Sequence, residues 1–443
     1  MTEEKGESRY KNVPQPISGK SDREEKIKVL TLSDHPLLPS GVGTQTKYVI
    51  EALLKTGKFD VVSFGGAIKH QSYDQIAPCE NWRIIPVDGY GDPNRIRDIL
   101  HLYKPDILYF MTDPRFYGWL WEMEEEIRSV VPMIYYHVWD NRPSPTYNRT
   151  MYKSNDYIAC ISKVTHDIVK TVTPEVESSY LPHAVDGSIF KPAQTEEEKD
   201  QVLHLKGQIL GASLHKDKKI FFWNNRNARR KQSGSLVFWW KDFLEQVGKD
   251  KAILVMHTDP NDPHGQNLQY LAQELELTNE NFLISTQKLI ATNLATFYRA
   301  ADFTINIADA EGFGLATLES LASGTPIIVT MTGGLQEQVT NGRDWFGFGI
   351  KPASKAIIGS QEVPFIYEDR ISRSDFLSTM RKALKINPQK YNKMIEGGMK
   401  HVEENYNFQD FEKSWVDLMY KMHGQHGSWK NRKNYRAWEK IVL

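Results

Sequence analysis

The sequence has 443 residues, of which 40% are hydrophobic and 25% are charged. These proportions are typical of a globular protein and exclude a disordered or fibrous chain. The formal net charge of −1 gives no bulk attraction to nucleic acid or membrane. Only two cysteines occur, Cys79 and Cys160, which excludes a disulfide scaffold and a cysteine-based zinc site.

The first 26 residues are polar and lack the apolar core of a signal peptide. We interpret residues 1–26 as a flexible tail. No apolar run in the sequence reaches the ~20 residues that a transmembrane helix needs. We therefore expect a cytoplasmic protein without a transmembrane segment, located in the host cytoplasm if the chain is viral.

From residue 27 onward, short apolar runs alternate with segments of helical character. The predicted strands cover residues 27–33, 61–64, 83–87, 107–111, 133–138 and 157–161. The spacing of Val49, Leu53 and Leu54 predicts a helix over residues 44–55. This alternation is typical of a parallel sheet covered on both faces. It predicts a first Rossmann-like domain over residues 27–193.

The alternation stops near Pro192 and resumes at residue 219. The strands predicted after the break cover residues 219–223, 252–257, 281–285, 303–307 and 326–330. We assign a linker to residues 194–216 and a second Rossmann-like domain to residues 217–400. Residues 401–443 are predicted to form C-terminal helices and a basic tail. The predicted fold class is thus α/β, with two Rossmann-like domains facing a cleft.

The most informative segment lies between residues 309 and 339. Glu311 and Glu319 are eight residues apart, with Gly312-Phe313-Gly314 between them where a strand should give way to a helix. Glycines at such a turn let backbone N–H groups approach a ligand closely. A carboxylate at each end could accept hydrogen bonds from hydroxyl groups. This arrangement could hold a sugar attached to a nucleotide; the alternative is a turn followed by a helix with two solvated acids.

A basic segment follows the first strand of the second domain. Arg226 and Lys231 are five residues apart, and we predict that a helix begins at about Lys231. Two cations at a helix N-terminus can neutralise a diphosphate. Arg229 and Arg230 lie in the same segment, so the spacing leaves open which arginine reaches a phosphate. The alternative is a solvated basic turn.

The segment EGFGLATLESLASGTPIIVTMTGGLQEQV resembles the E-x7-E signature of retaining nucleotide-sugar glycosyltransferases of family 4, which have the B-type fold. The resemblance implies that Glu311 contacts the donor sugar and that Glu319 holds the donor ribose. The donor-binding residues that it implies in this segment are Gly312, Phe313, Gly314, Leu315, Glu319 and the loop Thr332-Gly333-Gly334.

The resemblance assigns roles elsewhere in the chain as well. Arg226 and Lys231 would stabilise the departing nucleoside diphosphate. Gly41 and Gly43 would form the glycine loop of the first domain, beside the donor phosphate. His137 would lie near the donor sugar, orienting it or acting as a base.

The weaker candidates are Asp113 and Asp140, which we assign to acceptor contacts. The chain has no Asp-x-Asp triplet, the metal-holding signature of the other large glycosyltransferase fold. We therefore predict no metal site and no cofactor. The expected co-substrate is a nucleoside-diphosphate sugar, with a UDP-sugar the first to consider.

Three hypotheses follow for the activity. The first is a retaining glycosyltransferase acting on a hydroxyl of a glycan, a lipid-linked acceptor or a small molecule. The second is a glycosyltransferase that modifies hydroxymethylated bases in DNA and binds nucleic acid through the basic, aromatic segment 428–443. The third is a non-catalytic nucleotide-sugar-binding protein. In the B-type fold the C-terminal helices cross back to the first domain, which gives segment 428–443 a structural alternative.

Overall fold

The computed structural model describes residues 26–211 and 217–436. Residues 1–25 of the predicted flexible tail and residues 437–443 of the predicted basic tail lie outside this range. Within it, the chain forms an eight-stranded sheet, a six-stranded sheet and a separate two-stranded sheet. No helix of the described residues is both long enough and apolar enough to cross a membrane.

The first domain is built on the eight-stranded sheet. Its strands are β1 (Ile27–Asp34), β2 (Phe59–Gly66), β3 (Ile76–Cys79), β4 (Trp82–Pro86), β5 (Ile107–Met111), β6 (Met133–His137), β7 (Tyr157–Cys160) and β8 (Ser178–Tyr180). Its helices are α1 (Gly41–Lys55), α2 (Pro93–Tyr103), α3 (Gly118–Glu122), α4 (Glu124–Arg128), α5 (Arg149–Lys153) and α6 (Lys163–Val172). The strand order is β3-β4-β2-β1-β5-β6-β7-β8, and every pair except β3–β4 is parallel.

The second domain is built on the six-stranded sheet. Its strands are β9 (Lys219–Asn224), β10 (Ala252–His257), β11 (Phe282–Ser285), β12 (Phe303–Asn306), β13 (Ile327–Thr330) and β14 (Gly347–Ile350). The helices that follow β8 along the chain are α7 (Glu196–Leu210), α8 (Ser233–Val247), α9 (Leu268–Glu274), α10 (Ala291–Ala300), α11 (Leu315–Ala322), α12 (Leu335–Val339), α13 (Arg373–Leu384), α14 (Pro388–Asn405) and α15 (Phe408–His426). The order is β11-β10-β9-β12-β13-β14, with all pairs parallel.

The central strands of both sheets are buried on both faces. All five residues of β5 and of β6 are buried, and so are all four of β12 and of β13. Strands of this kind read as continuous apolar runs, which is why the sequence predicts them well. The predicted α/β class with two Rossmann-like domains is confirmed.

The chain crosses back to the first domain through α15, as the B-type resemblance implies. The Trp415 ring lies 5.3 Å from the Tyr109 ring and 4.7 Å from the Tyr136 ring, edge-on in both cases. Trp415 is completely buried. An aromatic core thus joins the last long helix to β5 and β6.

Two structural elements were not predicted from the sequence. The segment assigned to the linker contains α7, whose N-terminus is closed by a capping box between Thr195 and Glu198. The strands β15 (Ser354–Ile358) and β16 (Ile366–Arg370) form an antiparallel hairpin between β14 and α13.

Candidate active site

The E-x7-E segment forms the turn from β12 to α11, as predicted from its glycines. Gly314 has a φ of +91°, and a Cβ at this position would lie 2.6 Å from Leu335 Cδ2. Only glycine fits such a position. The first N–H groups of α11 have no acceptor within the helix, as at every helix start, so they remain available to an anionic ligand.

The same turn lies against the first domain. A Cβ on Gly312 would be 3.0 Å from the Val138 carbonyl oxygen and 3.8 Å from Asp140 Oδ2. Phe313 is buried, and its ring centroid is 5.0 Å from that of His183, a residue that follows β8. The predicted donor-binding turn therefore lies at the junction of the two domains.

Glu311 is held in a cluster of cations. Its carboxylate forms an ion pair and hydrogen bond with Lys231, and Arg230 Nη1 lies 4.0 Å from its other oxygen. Asn306 Nδ2 also donates to Glu311, at 3.3 Å. Burial alone would raise the pKa of Glu311, but Lys231, Arg230 and these hydrogen bonds outweigh it and lower the pKa. Glu311 is therefore an anion at neutral pH.

Lys231 experiences the opposite balance. Burial, reinforced by the charge of Arg230, lowers its pKa to about 8, although Glu311 and Asp140 oppose this shift. The ammonium group is still mainly protonated at pH 7. Lys231 ends a short 3-10 turn (Arg229–Lys231), and α8 begins two residues later, at Ser233. The predicted helix start at about Lys231 is close to the observed one.

Asp140 is the first-domain carboxylate that reaches this cluster. Burial raises its pKa to about 6; the charges of Arg230 and Lys231 oppose this effect, and Glu311 reinforces it. Two carboxylates and two cations from both domains thus share one electrostatic environment. Asp140 was assigned to acceptor contacts, and the structure places it beside the predicted donor residues.

Arg226 is not brought to this cluster. Its guanidinium donates to Asp262 at 2.6 and 3.2 Å and contacts His264 Nδ1 at 2.7 Å, and the side chain is 61% exposed. Arg230 instead donates to the Ala310 carbonyl at 2.6 Å, next to Glu311. The sequence left open which arginine reaches the site, and the geometry favours Arg230.

Glu319 lies one helical turn into α11 and is held from the second domain. Tyr298 donates its hydroxyl proton to Glu319 Oε2 at 2.7 Å, and Asn224 Nδ2 donates to the same tyrosine oxygen at 2.8 Å. Burial raises the pKa of Glu319 to about 7, and the tyrosine hydrogen bond opposes this shift. The carboxylate is oriented and keeps an oxygen for another donor, such as a ribose hydroxyl.

The glycine loop of the first domain meets the same helix. Ser40 caps α1 by accepting from the Gly43 N–H at 3.0 Å. A Cβ on Gly41 would be 3.1 Å from Leu315 Cδ1, so Gly41 and the first residue of α11 are in close contact. A Cβ on Gly43 would be 2.7 Å from the His35 carbonyl oxygen. Two helix N-termini therefore converge on the junction.

The loop after β13 supports the Glu311 backbone. The Gly334 N–H donates to the Glu311 carbonyl at 3.0 Å, and a Cβ on Gly333 would lie only 1.9 Å from that oxygen. Gly333 also has a φ of +45°. The loop that follows Thr332 thus packs against the turn, as the resemblance implies.

His137 is enclosed in the first-domain core. Its Nε2 lies 2.7 Å from the Tyr152 hydroxyl, and its ring packs against that of Tyr135. Burial lowers its pKa to about 3, so the ring is neutral. Within residues 26–211 and 217–436, no contact joins His137 to the Glu311 cluster.

Asp113 also lies apart from that cluster. It follows β5 and pairs with Arg115 through two hydrogen bonds of 2.9 Å. Its role in acceptor contacts stays a prediction.

The described part of segment 428–443 docks on the first domain. Trp429 donates its ring N–H to the Pro105 carbonyl at 2.8 Å. Arg432 donates to Asp156 at 2.8 Å and to the Arg128 carbonyl at 2.7 Å. These contacts agree with the structural alternative for this segment. The predicted nucleic-acid contact depends partly on residues 437–443, which lie outside the described residues.

Sequence reasoning missed Asn224, Tyr298 and Asn306. Asn224 and Asn306 are the last residues of β9 and β12. Ligand residues in α/β sheets gather at these carboxyl ends, so the strand predictions contained a signal for both. Tyr298 lies within α10, where an aromatic residue at helical spacing reads as core.

By sequence, the family match covers most of the second domain. Residues 211–398 match the family described as "Glycosyl transferases group 1". Alpha-monoglucosyldiacylglycerol synthase of Streptococcus pneumoniae is 30% identical over 173 residues, which cover 39% of this chain and 37% of the synthase. D-inositol 3-phosphate glycosyltransferase of Paenarthrobacter aurescens is 34% identical over 77 residues, 17% of this chain and 18% of that relative. The matches span well under half of each relative.

Solved structures cover almost the whole chain. Sucrose-phosphate synthase from Thermosynechococcus elongatus has a TM-score of 0.71 at 16% identity, covering 90% of this chain and 100% of that chain. Anabaena HepE, solved in complex with UDP and glucose, has a TM-score of 0.63 at 13% identity, covering 89% and 100%. The chain therefore has the B-type glycosyltransferase fold. Residues 211–398, which include most of the second domain, are similar to the group 1 glycosyl transferases, and membership of family 4 stays a prediction.

Proposed function

We propose that the protein is a retaining glycosyltransferase that moves a sugar from a nucleoside-diphosphate sugar to a hydroxyl acceptor. The observation that carries this proposal is the cluster of Glu311, Lys231 and Arg230 at the domain junction. It combines an anion able to bind sugar hydroxyls with two cations able to bind a diphosphate. Helix N-termini at the same place add backbone donors for phosphate oxygens.

Each group then has a definite task. Glu311 accepts hydrogen bonds from the donor sugar, and Glu319 accepts them from the ribose. Lys231 and Arg230 stabilise the negative charge that develops on the leaving diphosphate. A donor phosphate oxygen takes the acceptor proton on the same face, which retains the configuration at the transferred carbon. Because two side chains supply the positive charge, the transfer requires no metal ion.

The proposal is supported by the names of the partial relatives, which include a glucosyldiacylglycerol synthase and inositol-phosphate glycosyltransferases. HepE was solved with UDP and glucose, which makes UDP-glucose the first donor to test. We leave the acceptor open among glycan, lipid-linked and small-molecule hydroxyls.

The test is nucleotide release from UDP-, GDP- and ADP-sugars, with and without candidate acceptors. NMR of the product would give the anomeric configuration, and excess EDTA should leave the rate unchanged. Release of nucleotide from none of these donors would contradict the proposal.

Two arginine variants provide a matched pair. Arg230→Ala should lower transfer by about 10²–10³-fold, the usual loss for one group that stabilises developing charge. Arg226→Ala should lower it only a few-fold, because Asp262 and His264 hold Arg226 outside the cluster. The reverse order of losses would show that Arg226, as the spacing suggests, is the phosphate ligand.

A further inference from the structure

A β-hairpin that belongs to neither domain sheet bridges the two domains. It comprises residues 354–370, with β15 and β16 paired from Ser354–Arg370 to Ile358–Ile366, and a tip of residues 359–365. The chain enters it from β14 of the second domain and returns to α13 of the same domain. We call it the bridging hairpin.

The bridging hairpin is bound to the first domain. The Tyr367 N–H donates to the Arg142 carbonyl at 2.5 Å, and Asn141 Nδ2 donates to the Tyr367 carbonyl at 2.9 Å. Val363, in the tip, is 6% exposed and belongs to the apolar core cluster of the first domain. Ile366 packs against the same cluster. The N–H and the carbonyl of Tyr367, together with the buried Val363, thus join the hairpin to the first domain.

The next residues of the same strand hold the candidate active site. Glu368, 4% exposed, accepts two hydrogen bonds from Arg229, at 2.7 and 2.6 Å. The Asp369 N–H donates to the Asp309 carbonyl at 2.9 Å, and Arg370 pairs with the Asp309 carboxylate at 2.8 Å. Arg229 precedes the two cations of the cluster, and Asp309 lies two residues before its glutamate. A single strand therefore ties the first domain to both loops of the site.

The tip also lies beside loops of the first domain. Pairing with Asp113 raises the pKa of Arg115, and the charge of Glu362, in the tip, makes a smaller contribution in the same direction. The Tyr147 hydroxyl contacts the Phe365 carbonyl at 3.5 Å. The hairpin tip thus lies over the loops that follow β5 and β6, where acceptor contacts were predicted.

We propose that the bridging hairpin holds the domains closed around the donor and so determines whether the sugar is transferred to the acceptor or to water. This inference rests on the proposed function. In either reaction the bond from the anomeric carbon to the diphosphate oxygen breaks, and the nucleoside diphosphate leaves with the electron pair. The new bond forms to an acceptor hydroxyl or to water, whose proton goes to the departing phosphate. The domains of one chain generally move relative to each other, and their closure around a substrate excludes water from the site.

The test compares two substitutions of the same chemistry in one hairpin. Val363→Asp places a charge at the buried tip and should release it from the first domain. Ile357→Asp is the control, because Ile357 lies in the same hairpin and is 70% exposed. With an active donor and acceptor, Val363→Asp should raise the ratio of free sugar to transferred sugar by about tenfold, the change that 1.4 kcal/mol of lost closure gives. Ile357→Asp should leave the ratio unchanged.

A second variant distinguishes loss of the tip contact from misfolding caused by a buried charge. Replacing residues 359–365 with Asn-Gly gives a two-residue turn and removes the tip without burying a charge. Hydrogen exchange at the Tyr367 amide, which reports the bond to the first domain, should accelerate in this variant and in Val363→Asp but not in the control. An unchanged exchange rate, or an unchanged ratio in an active enzyme, would overturn the proposal. If the wild type uses no donor, the proposed function fails while the exchange rates still show whether the hairpin joins the domains.

Discussion

Substituting Lys231 separates the stabilising and catalytic roles of the central ion pair. Lys231 and Glu311 are each 8% exposed, so solvent screens their attraction little. Lys231→Met leaves a buried carboxylate whose remaining cation is Arg230, with a closest approach of 4.0 Å. Removing one partner of a buried pair costs about 3–5 kcal/mol. Because Arg230 keeps part of the compensation, we expect about 3 kcal/mol.

This loss can be measured as a shift in the unfolding temperature of the whole chain, because one apolar core contains residues of both domains. With an unfolding entropy of about 2.1 cal/mol/K per residue, 1 kcal/mol corresponds to roughly 1 °C for this length, so the transition should fall by roughly 3 °C. Lys231→Met with Glu311→Gln removes both charges and should recover most of this loss, because replacing a whole buried pair is often nearly neutral. Transfer should fall by about 10²–10³-fold in the single variant and should not recover in the double variant.

Calorimetry and initial transfer rates at saturating donor are the two assays. Lys241→Met is the control, because Lys241 forms an exposed pair with Glu245 on α8 and such pairs contribute about 0–1 kcal/mol. A single variant as stable as the wild type would refute the buried ion pair. Full transfer in the double variant would refute a catalytic role for both residues.

The remaining predictions concern Glu319 and the glycine loop behind Glu311. Since the pKa of Glu319 is raised to about 7, its carboxyl favours folding while it is protonated, and this contribution is lost as pH rises through 7. Donor KM should fall over the same interval as the carboxylate becomes an acceptor for ribose; Glu319→Gln should remove the pH dependence, and Tyr298→Phe should move it to higher pH. Gly333→Ala should abolish most transfer, because its Cβ would lie 1.9 Å from the Glu311 carbonyl oxygen, whereas Gly207→Ala, with open space around it, should not. Wild-type rates in Gly333→Ala, or a flat KM profile in the wild type, would contradict these expectations.

The sequence predicted the positions of the central strands. Parallel strands buried on both faces leave continuous apolar runs, and these located β1, β5 and β6 in the first domain and β9 and β12 in the second. It also predicted the glycine turn before α11, because a positive φ restricts residue choice. The approach of Lys231 to Glu311 could not be predicted in this way, because it depends on the order of the strands in the sheet. β9 and β12 are neighbours, so the loops at their carboxyl ends meet, and local periodicity does not reveal strand order.

His137 shows where the strand argument ends. A strand end is the right place for a ligand residue, but side chains alternate between the two faces of the sheet. His137 shares its face with Tyr135, which belongs to the first-domain core, and its ring is enclosed there. Asp140, three residues further, leaves the strand and reaches the cluster. Both faces of β6 are buried, so the apolar pattern could not distinguish them.

The bridging hairpin left little signal for a different reason. β15 is mostly exposed and packs against neither domain sheet, and the seven-residue tip has no two-residue turn to mark it. Its importance comes from contacts more than 200 residues apart, such as that of Asn141 with Tyr367. Long-range contacts of this kind follow from the fold and cannot be read from local sequence.

The choice between Arg226 and Arg230 shows how motif spacing and structure divide the information. The five-residue spacing between Arg226 and Lys231 indicates that a second cation follows β9, and either Arg226 or Arg230 could supply that charge. Arg226 is hydrogen-bonded to Asp262 and His264, whereas Arg230 donates to the Ala310 carbonyl beside Glu311. Neighbouring acceptors therefore decide which cation serves the site. A motif fixes the kind of charge, and the residues around it fix which side chain supplies that charge.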